Sequence, residues 1–150
     1  MTTWPQGSAA AHTVRVGAEE WAVRPLTVRD WSEFIAWVQD RYVDLVRRNT
    51  AALAADQSVQ YMRDAFSQAM RIGTDTPEMK AALESPEGAA RLVWMSVRRD
   101  RPGLTAEAFF DLMQQADATR EVSDAFRLAN GSADPNSSAE PPAPPAPLTT

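Results

Sequence analysis

The densest run of apolar residues covers residues 89–97, where almost every face of a helix would be apolar. A helix of this kind is stable in water only when other elements surround it. Ser85 is a favoured N-cap residue, and Pro86 suits the first helical position. The pattern therefore predicts a buried central helix that starts there and ends in a basic run, before Pro102 and Gly103.

A longer amphipathic helix is predicted before the central one. Its start is indicated by Thr27 and Asp30, whose spacing resembles a capping box with a shorter acid. Apolar residues then recur every three or four positions, so the helix should reach at least Arg48. Trp37 falls at the edge of the apolar stripe. We expect it to be partly exposed or to meet another part of the protein, and the alternative is an ordinary position at the edge of the core.

An N-terminal β-hairpin is predicted by two short runs with alternating apolar residues around a turn that contains Gly17. An isolated hairpin is marginally stable unless one face rests on other elements. The face expected to rest on the helices holds four apolar residues: Val14, Val16, Trp21 and Val23.

The region between the two long helices predicts two further helical pieces. We expect a break near Asp56, after which a second amphipathic stripe ends at Gly73. Thr76 and Pro77 then open a short helix. The stripe consists of these residues: Val59, Met62, Phe66, Ala69 and Met70.

The C-terminal part predicts two helices and a tail of different composition. Thr105 can cap the first helix, and the second follows a kink or loop at residues 114–119 and ends at Asn130. The tail is rich in proline and alanine, which favours a disordered, extended spacer. The alternative is a ligand for an aromatic groove. The sequence thus predicts a mainly α protein: a flexible arm at 1–11, a small helical domain with an N-terminal hairpin at 12–131, and a disordered tail at 132–150.

Composition narrows the class of protein. A chain of 150 residues with 44% hydrophobic content can form one modest core. The absence of cysteine excludes disulfides, thiolate metal sites and a cysteine nucleophile. The sequence lacks a signal-peptide pattern and an apolar segment of about 20 residues, so we expect a soluble protein of the cytoplasm that does not enter a membrane.

Candidate catalytic groups are few. His12 is the sole histidine, which excludes a catalytic histidine pair or a two-histidine metal site. The pair Glu19 and Glu20 lies in a predicted turn, and Glu107 with Asp111 is spaced to bind a divalent ion, but solvated charge is the favoured interpretation of both. Glycines are scattered singly, so a phosphate-binding loop is not expected. We therefore predict no catalytic, metal or cofactor-binding residue, and no enzyme.

Nucleic-acid binding is also disfavoured by charge. Residues 105–128 have the outline of a helix-turn-helix, in which one helix reads the major groove. Five acidic residues and two arginines give this segment a net charge of −3, and the whole chain carries −5. A groove-reading unit should be basic. We therefore expect no nucleic-acid partner.

Two segments resemble those of tail assembly chaperones from long-tailed bacteriophages, prophages and gene transfer agents. In that family a short strand pair leads through an RPLT-x-x-D segment into a helix, and residues 24–30 match it. An apolar helix then leads through a basic, proline-containing turn into LT-x-E, as residues 92–107 do here. The resemblance covers roughly residues 13–128 and leaves the proline-rich tail unmatched.

The resemblance implies a non-enzymatic role. Such chaperones bind the tape-measure protein, keep its apolar helical surface from aggregating, and help to bring tail-tube subunits to it. The expected location is the host cytoplasm, with the protein absent from the mature virion, and a homo-oligomer is compatible with this role. The alternatives are a structural head–tail joining or tail-completion protein that stays in the particle, and a small enzyme or regulator.

Large apolar residues at the edges of the predicted helices are the candidates for contact with the partner. Aromatic and methionine side chains dominate such contacts. Phe109 and Phe110 are adjacent in a helix, so their directions differ by about 100° and both cannot point into one core unless the helix is covered on two sides. Phe110 is therefore the sharpest candidate, although packing under the hairpin or the last helix is the alternative. The full set comprises Trp37, Tyr42, Phe109, Phe110 and Met113.

Overall fold

The computed structural model describes residues 11–131. The predicted tail, and the predicted arm except for Ala11, lie outside the described residues. The described part is mainly helical with an N-terminal two-stranded hairpin, as predicted. Its elements are β1 (His12–Val16), β2 (Glu19–Val23), α1 (Val28–Asn49), α2 (Ala55–Ala69), α3 (Pro77–Glu84), α4 (Pro86–Val97), α5 (Ala106–Met113) and α6 (Ala116–Ala129).

The hairpin forms with the predicted face. Val14 pairs with Trp21 across the antiparallel ladder, so side chains on alternate positions share one side. Trp21 and Val23 are buried, and both strands contact α6, which covers the apolar face. Gly17 begins the two-residue turn with a φ of 63°, a conformation that glycine adopts without steric cost.

Helix α1 begins with the predicted capping box and extends through Asn49, past the expected minimum of Arg48. The backbone N–H of Asp30 donates to the Thr27 hydroxyl, and the Asp30 carboxylate accepts from the backbone N–H of Thr27. Phe34 is fully buried on the inner face. Leu45, in contrast, is 55% exposed, so the apolar stripe leaves the core near the C-terminal end of the helix.

Helix α4 is central, as predicted. Its residues contribute to two hydrophobic clusters, one with the hairpin and α6 and the other with α1 and α3. Trp94 packs against both clusters, and its indole N–H donates to the carbonyl of Leu104 over 2.9 Å. The Ser85 hydroxyl caps the helix by accepting from the N–H of Gly88. Gly88 is buried where α3 turns into α4, and a Cβ atom there would overlap the carbonyl group of Ala82.

Several predicted boundaries shift. The break expected near Asp56 lies at residues 50–54, and Asp56 is already in the first turn of α2. The predicted kink or loop at 114–119 shrinks, because α6 begins at Ala116. Both errors have the same cause: alanine-rich segments continue a helix readily and carry no side chain that marks its start. Within residues 11–131, none of the helices has the length and apolar character that crossing a lipid bilayer requires.

Candidate functional site

The two segments that carry the family resemblance meet in space. Asp30, only 3% exposed, accepts hydrogen bonds from Arg98 over 3.0 Å and from Arg99 over 2.7 Å. Beside it, Arg24 donates to Asp100 over 2.6 and 2.9 Å. The RPLT-x-x-D segment is therefore fastened to the end of α4 by ion pairs that join residues about 70 positions apart in the sequence.

The charge states of this junction follow from those contacts. Burial alone would raise the pKa of Asp30, but hydrogen bonds from Thr27, Arg98 and Arg99 outweigh it and hold the pKa below its ordinary value. Burial would likewise lower the pKa of Arg98, and the carboxylates of Glu33 and Asp30 raise it instead. The favourable ion pairs join the start of α1 to the end of α4, which indicates a structural role for the junction.

The acidic pairs considered for chemistry lie apart from one another. Glu19 is paired with Arg101 over 2.6 Å at the hairpin, where it also accepts from the Trp21 indole. Glu107 and Asp111 are exposed on α5. In the described part of the chain, no group of three or more potential metal ligands comes together.

The five candidate partner residues separate into three locations. Phe109, predicted as a surface contact, is instead completely buried next to Trp21, with ring centroids 6.3 Å apart, because α5 turns that side into the core. Met113 is half-buried against the same cluster. Tyr42 is half-buried beside a groove of about 270 Å³ between α1 and α3. Trp37 and Phe110, also half-buried, both lie next to the Arg91 guanidinium.

Arg91 on α4 is surrounded by aromatic rings from three helices. Its guanidinium carbon lies 4.8 Å from the ring centroid of Trp37, 5.8 Å from that of Trp94 and 5.9 Å from that of Phe110. Arg41 packs over the same Trp37 ring at 5.3 Å. We call Trp37, Arg91, Trp94 and Phe110 the aromatic–arginine cluster. Trp37 and Phe110, two of the residues predicted from the sequence, thus belong to one surface cluster. Arg91, which was not predicted, contacts both of them.

A second surface was missed from the sequence. Among the described elements, α2 packs closely only against α1, through the small side chains of Ala65 and Ala69. A 3.4 Å hydrogen bond from Gln68 to Glu78 also joins α2 to α3. Most of the stripe that the sequence assigned to α2 consequently remains in solvent. The exposed fractions are 60% for Val59, 54% for Phe66 and 78% for Met70.

The exposed face of α2 borders a groove of about 320 Å³ against α1. Phe66 and Met70 form its apolar wall, and Asp40 and Asp44 of α1 form its polar wall. We call Val59, Phe66 and Met70 the α2 apolar face. Its spacing spans about three helical turns, the length over which a partner helix makes contact in a groove.

Comparison with known proteins gives no match: no family model fits the chain, and no curated protein and no solved structure is similar to it.

Proposed function

We propose that this protein is a non-enzymatic tail assembly chaperone of a long-tailed bacteriophage, prophage or gene transfer agent. Its partner would be the tape-measure protein, held in the host cytoplasm while tail-tube subunits assemble around it. The observation that carries the proposal is the α2 apolar face, which lies in solvent on a helix that has one close neighbour among the described elements.

The physical reason is the cost of exposed apolar area. Complete burial of a fully exposed large apolar side chain gains roughly 1.5–3 kcal/mol, and the side chains of this face, which are 54–78% exposed, would gain the corresponding part of it. Soluble proteins expose contiguous apolar patches mainly where another molecule binds. A long helical protein with exposed apolar stripes aggregates until those stripes are covered. It therefore needs a partner with an apolar surface before assembly.

The resemblance adds support of a limited kind. Its two segments form the junction at Asp30, so the matched residues build the framework and lie away from α2. A shared framework with a separate binding surface is compatible with relatives that bind different partners. We therefore assign partner binding to the α2 apolar face and to exposed parts of α1. We assign a structural role to the two segments that carry the resemblance.

Co-expression with a tape-measure protein tests the proposal. The tape-measure protein should be largely insoluble alone, and should become soluble and co-purify when this protein is present. The double variant Phe66→Ser with Met70→Ser should fold normally, because both side chains are exposed, and should lose the partner. Leu128→Ser is the matched control, since Leu128 is 61% exposed on α6 and away from α2.

Two results would count against the proposal. If the tape-measure protein stays insoluble with the parent protein, or if the double variant and the Leu128 control bind equally well, the α2 apolar face has no such role. Mass spectrometry of purified particles distinguishes the structural alternative. An assembly chaperone should be absent from them, whereas a head–tail joining or tail-completion protein should be present in stoichiometric amount.

A further inference from the structure

Arg91 differs from the other arginines that stack on aromatic rings in the described part of the chain. Arg41, Arg98 and Arg101 each lie over a tryptophan ring, and each also forms an ion pair with a carboxylate. Their partners are Glu87, Glu33 with Asp30, and Glu19, respectively. Arg91 contacts three rings and has neither a hydrogen bond nor an ion pair within residues 11–131.

The nitrogen atoms of the Arg91 guanidinium differ in their burial. Its Nε atom is sealed from solvent with no hydrogen-bond partner among the described residues. The two terminal nitrogens are not sealed in this way, and the Arg91 residue as a whole is half-buried. A guanidinium presents its donors in a rigid planar fork that matches a carboxylate. Stacking on Trp37 holds this fork in one plane, so less conformational freedom would be lost when a ligand binds.

The charges around Arg91 leave it under-compensated. Burial lowers its pKa below the ordinary value, and the positive charge of Arg41 acts in the same direction. Glu107 attracts the guanidinium and offsets part of this, but no hydrogen bond joins the two side chains. Arg41 is itself paired with Glu87, so that carboxylate is already engaged. A further negative charge beside Arg91 would therefore be favourable.

We propose that Arg91 is the carboxylate-binding residue of a partner-binding site, and that it receives an aspartate or glutamate side chain from a helix of the partner protein. Trp37 and Phe110, both half-buried, would contact the apolar residues that flank that acid one helical turn away. This inference rests on the proposed function as a helix-binding chaperone and adds a second contact, on a different face from α2.

The composition of the cluster suits such a contact. Tryptophan and arginine are the residues that most often carry binding energy in protein interfaces, and they do so where surrounding contacts exclude water. Here the rings on α1, α4 and α5 provide that surround before any partner arrives. The resulting preference should be for acid over amide at one position of the partner helix, because only the ionised acid forms charge-assisted hydrogen bonds.

Two synthetic helical peptides provide the test. They are identical except for a central glutamate in one and a glutamine in the other, and each has leucines one turn before and after that position. Fluorescence anisotropy of labelled peptides then measures binding to the full chain. We expect the glutamate peptide to bind about tenfold more tightly, the effect of a charge-assisted hydrogen bond at a partly exposed site.

Variants identify the residue responsible. Arg91→Gln should abolish the preference for glutamate, and Arg91→Lys should reduce it, because lysine keeps the charge and loses the planar fork. Arg48→Gln is the matched control: it removes the same charge from an exposed position on α1 with no ring contact, and should leave the preference intact. Circular dichroism establishes that each variant is folded, and Arg91→Lys remains informative if Arg91→Gln unfolds.

The inference would be overturned if the two peptides bind equally well or if neither binds. It would also be overturned if the preference for glutamate survives in folded Arg91→Gln or is unchanged in Arg91→Lys. The peptides contain no tape-measure sequence, so the outcome is independent of the co-expression experiment. A glutamate preference without rescue of the tape-measure protein would retain the site and reject the proposed function. Rescue of the tape-measure protein without a glutamate preference would support the proposed function and reject the carboxylate site.

Discussion

Replacing Asp30 by alanine should destabilise the protein by about 3 kcal/mol. About 1 kcal/mol comes from the capping box, because the carboxylate no longer accepts from Thr27 and the start of α1 loses a partner. About 2 kcal/mol more comes from the charge-assisted hydrogen bonds with Arg98 and Arg99. We take about 1 kcal/mol for each of the two bonds, below the usual range of about 1.5–3 kcal/mol, since the Arg98 and Arg99 side chains are 24% and 38% exposed and water can partly replace the carboxylate.

Urea unfolding followed by far-ultraviolet circular dichroism measures this change. With a slope of about 1.5 kcal/mol per molar urea, the midpoint should fall by about 2 M while the slope stays constant. Asp100→Ala is the control, because Asp100 also pairs with an arginine but is 34% exposed, and should cost less than about 1 kcal/mol. A midpoint for Asp30→Ala as high as that of Asp100→Ala would refute the view that the junction stabilises the contact between the start of α1 and the end of α4.

The same variant predicts a change in pH dependence. The folded-state pKa of Asp30 lies below the ordinary value of about 3.9. Its ionised form therefore contributes its full stabilisation above that pH, and the contribution is lost as pH falls through the lower folded-state pKa. The difference in unfolding free energy between parent and Asp30→Ala should accordingly be constant from pH 7 to about 5 and narrow below about 4. A difference that widens in acid would contradict the assignment.

Two further substitutions test the packing of α4. Gly88→Ala should lower the free energy of unfolding by about 3 kcal/mol or more, because the added methyl group overlaps the Ala82 carbonyl. A melting temperature equal to that of the parent protein would show that the corner between α3 and α4 can relax. Leu92→Ala should lower the free energy of unfolding by roughly 2–5 kcal/mol, since Leu92 is 6% exposed in the cluster with α1 and α3. A melting temperature within error of the parent protein's would show that α4 is not buried there.

Elements whose boundaries depend on neighbouring residues were predictable from the sequence. The capping box at Thr27 and the Ser85 cap act within one helical turn, so their residues are adjacent in the sequence. The hairpin face followed from strict alternation around Gly17. In each case the stabilising contact is local, and the pattern that encodes it is visible in a short window.

Contacts between distant parts of the chain could not be predicted in this way. The apolar stripe of α2 was identified, but periodicity does not say whether another element covers a stripe, and α2 has only α1 as a close neighbour among the described elements. Phe109 and Phe110 are adjacent in the sequence, and only the packing of α5 against α4 and α6, which brings Phe109 beside Trp21, makes the first one core. Arg91 gave no signal at all, because its environment consists of rings from separate helices.

The contact between the hairpin and α6 has a consequence for the order of folding during synthesis. The hairpin is made first and α6 last among the described elements, yet they cover each other's apolar side chains, and the Leu26 N–H donates to Asn130 over 2.8 Å. Such a closure spans 104 residues, so its entropy cost is met only after the intervening helices have shortened the loop. While the ribosome is still adding α5, Trp21 and Val23 can contact α4 but lack the surface that α6 provides. We therefore expect the hairpin to complete its packing only after α6 is made.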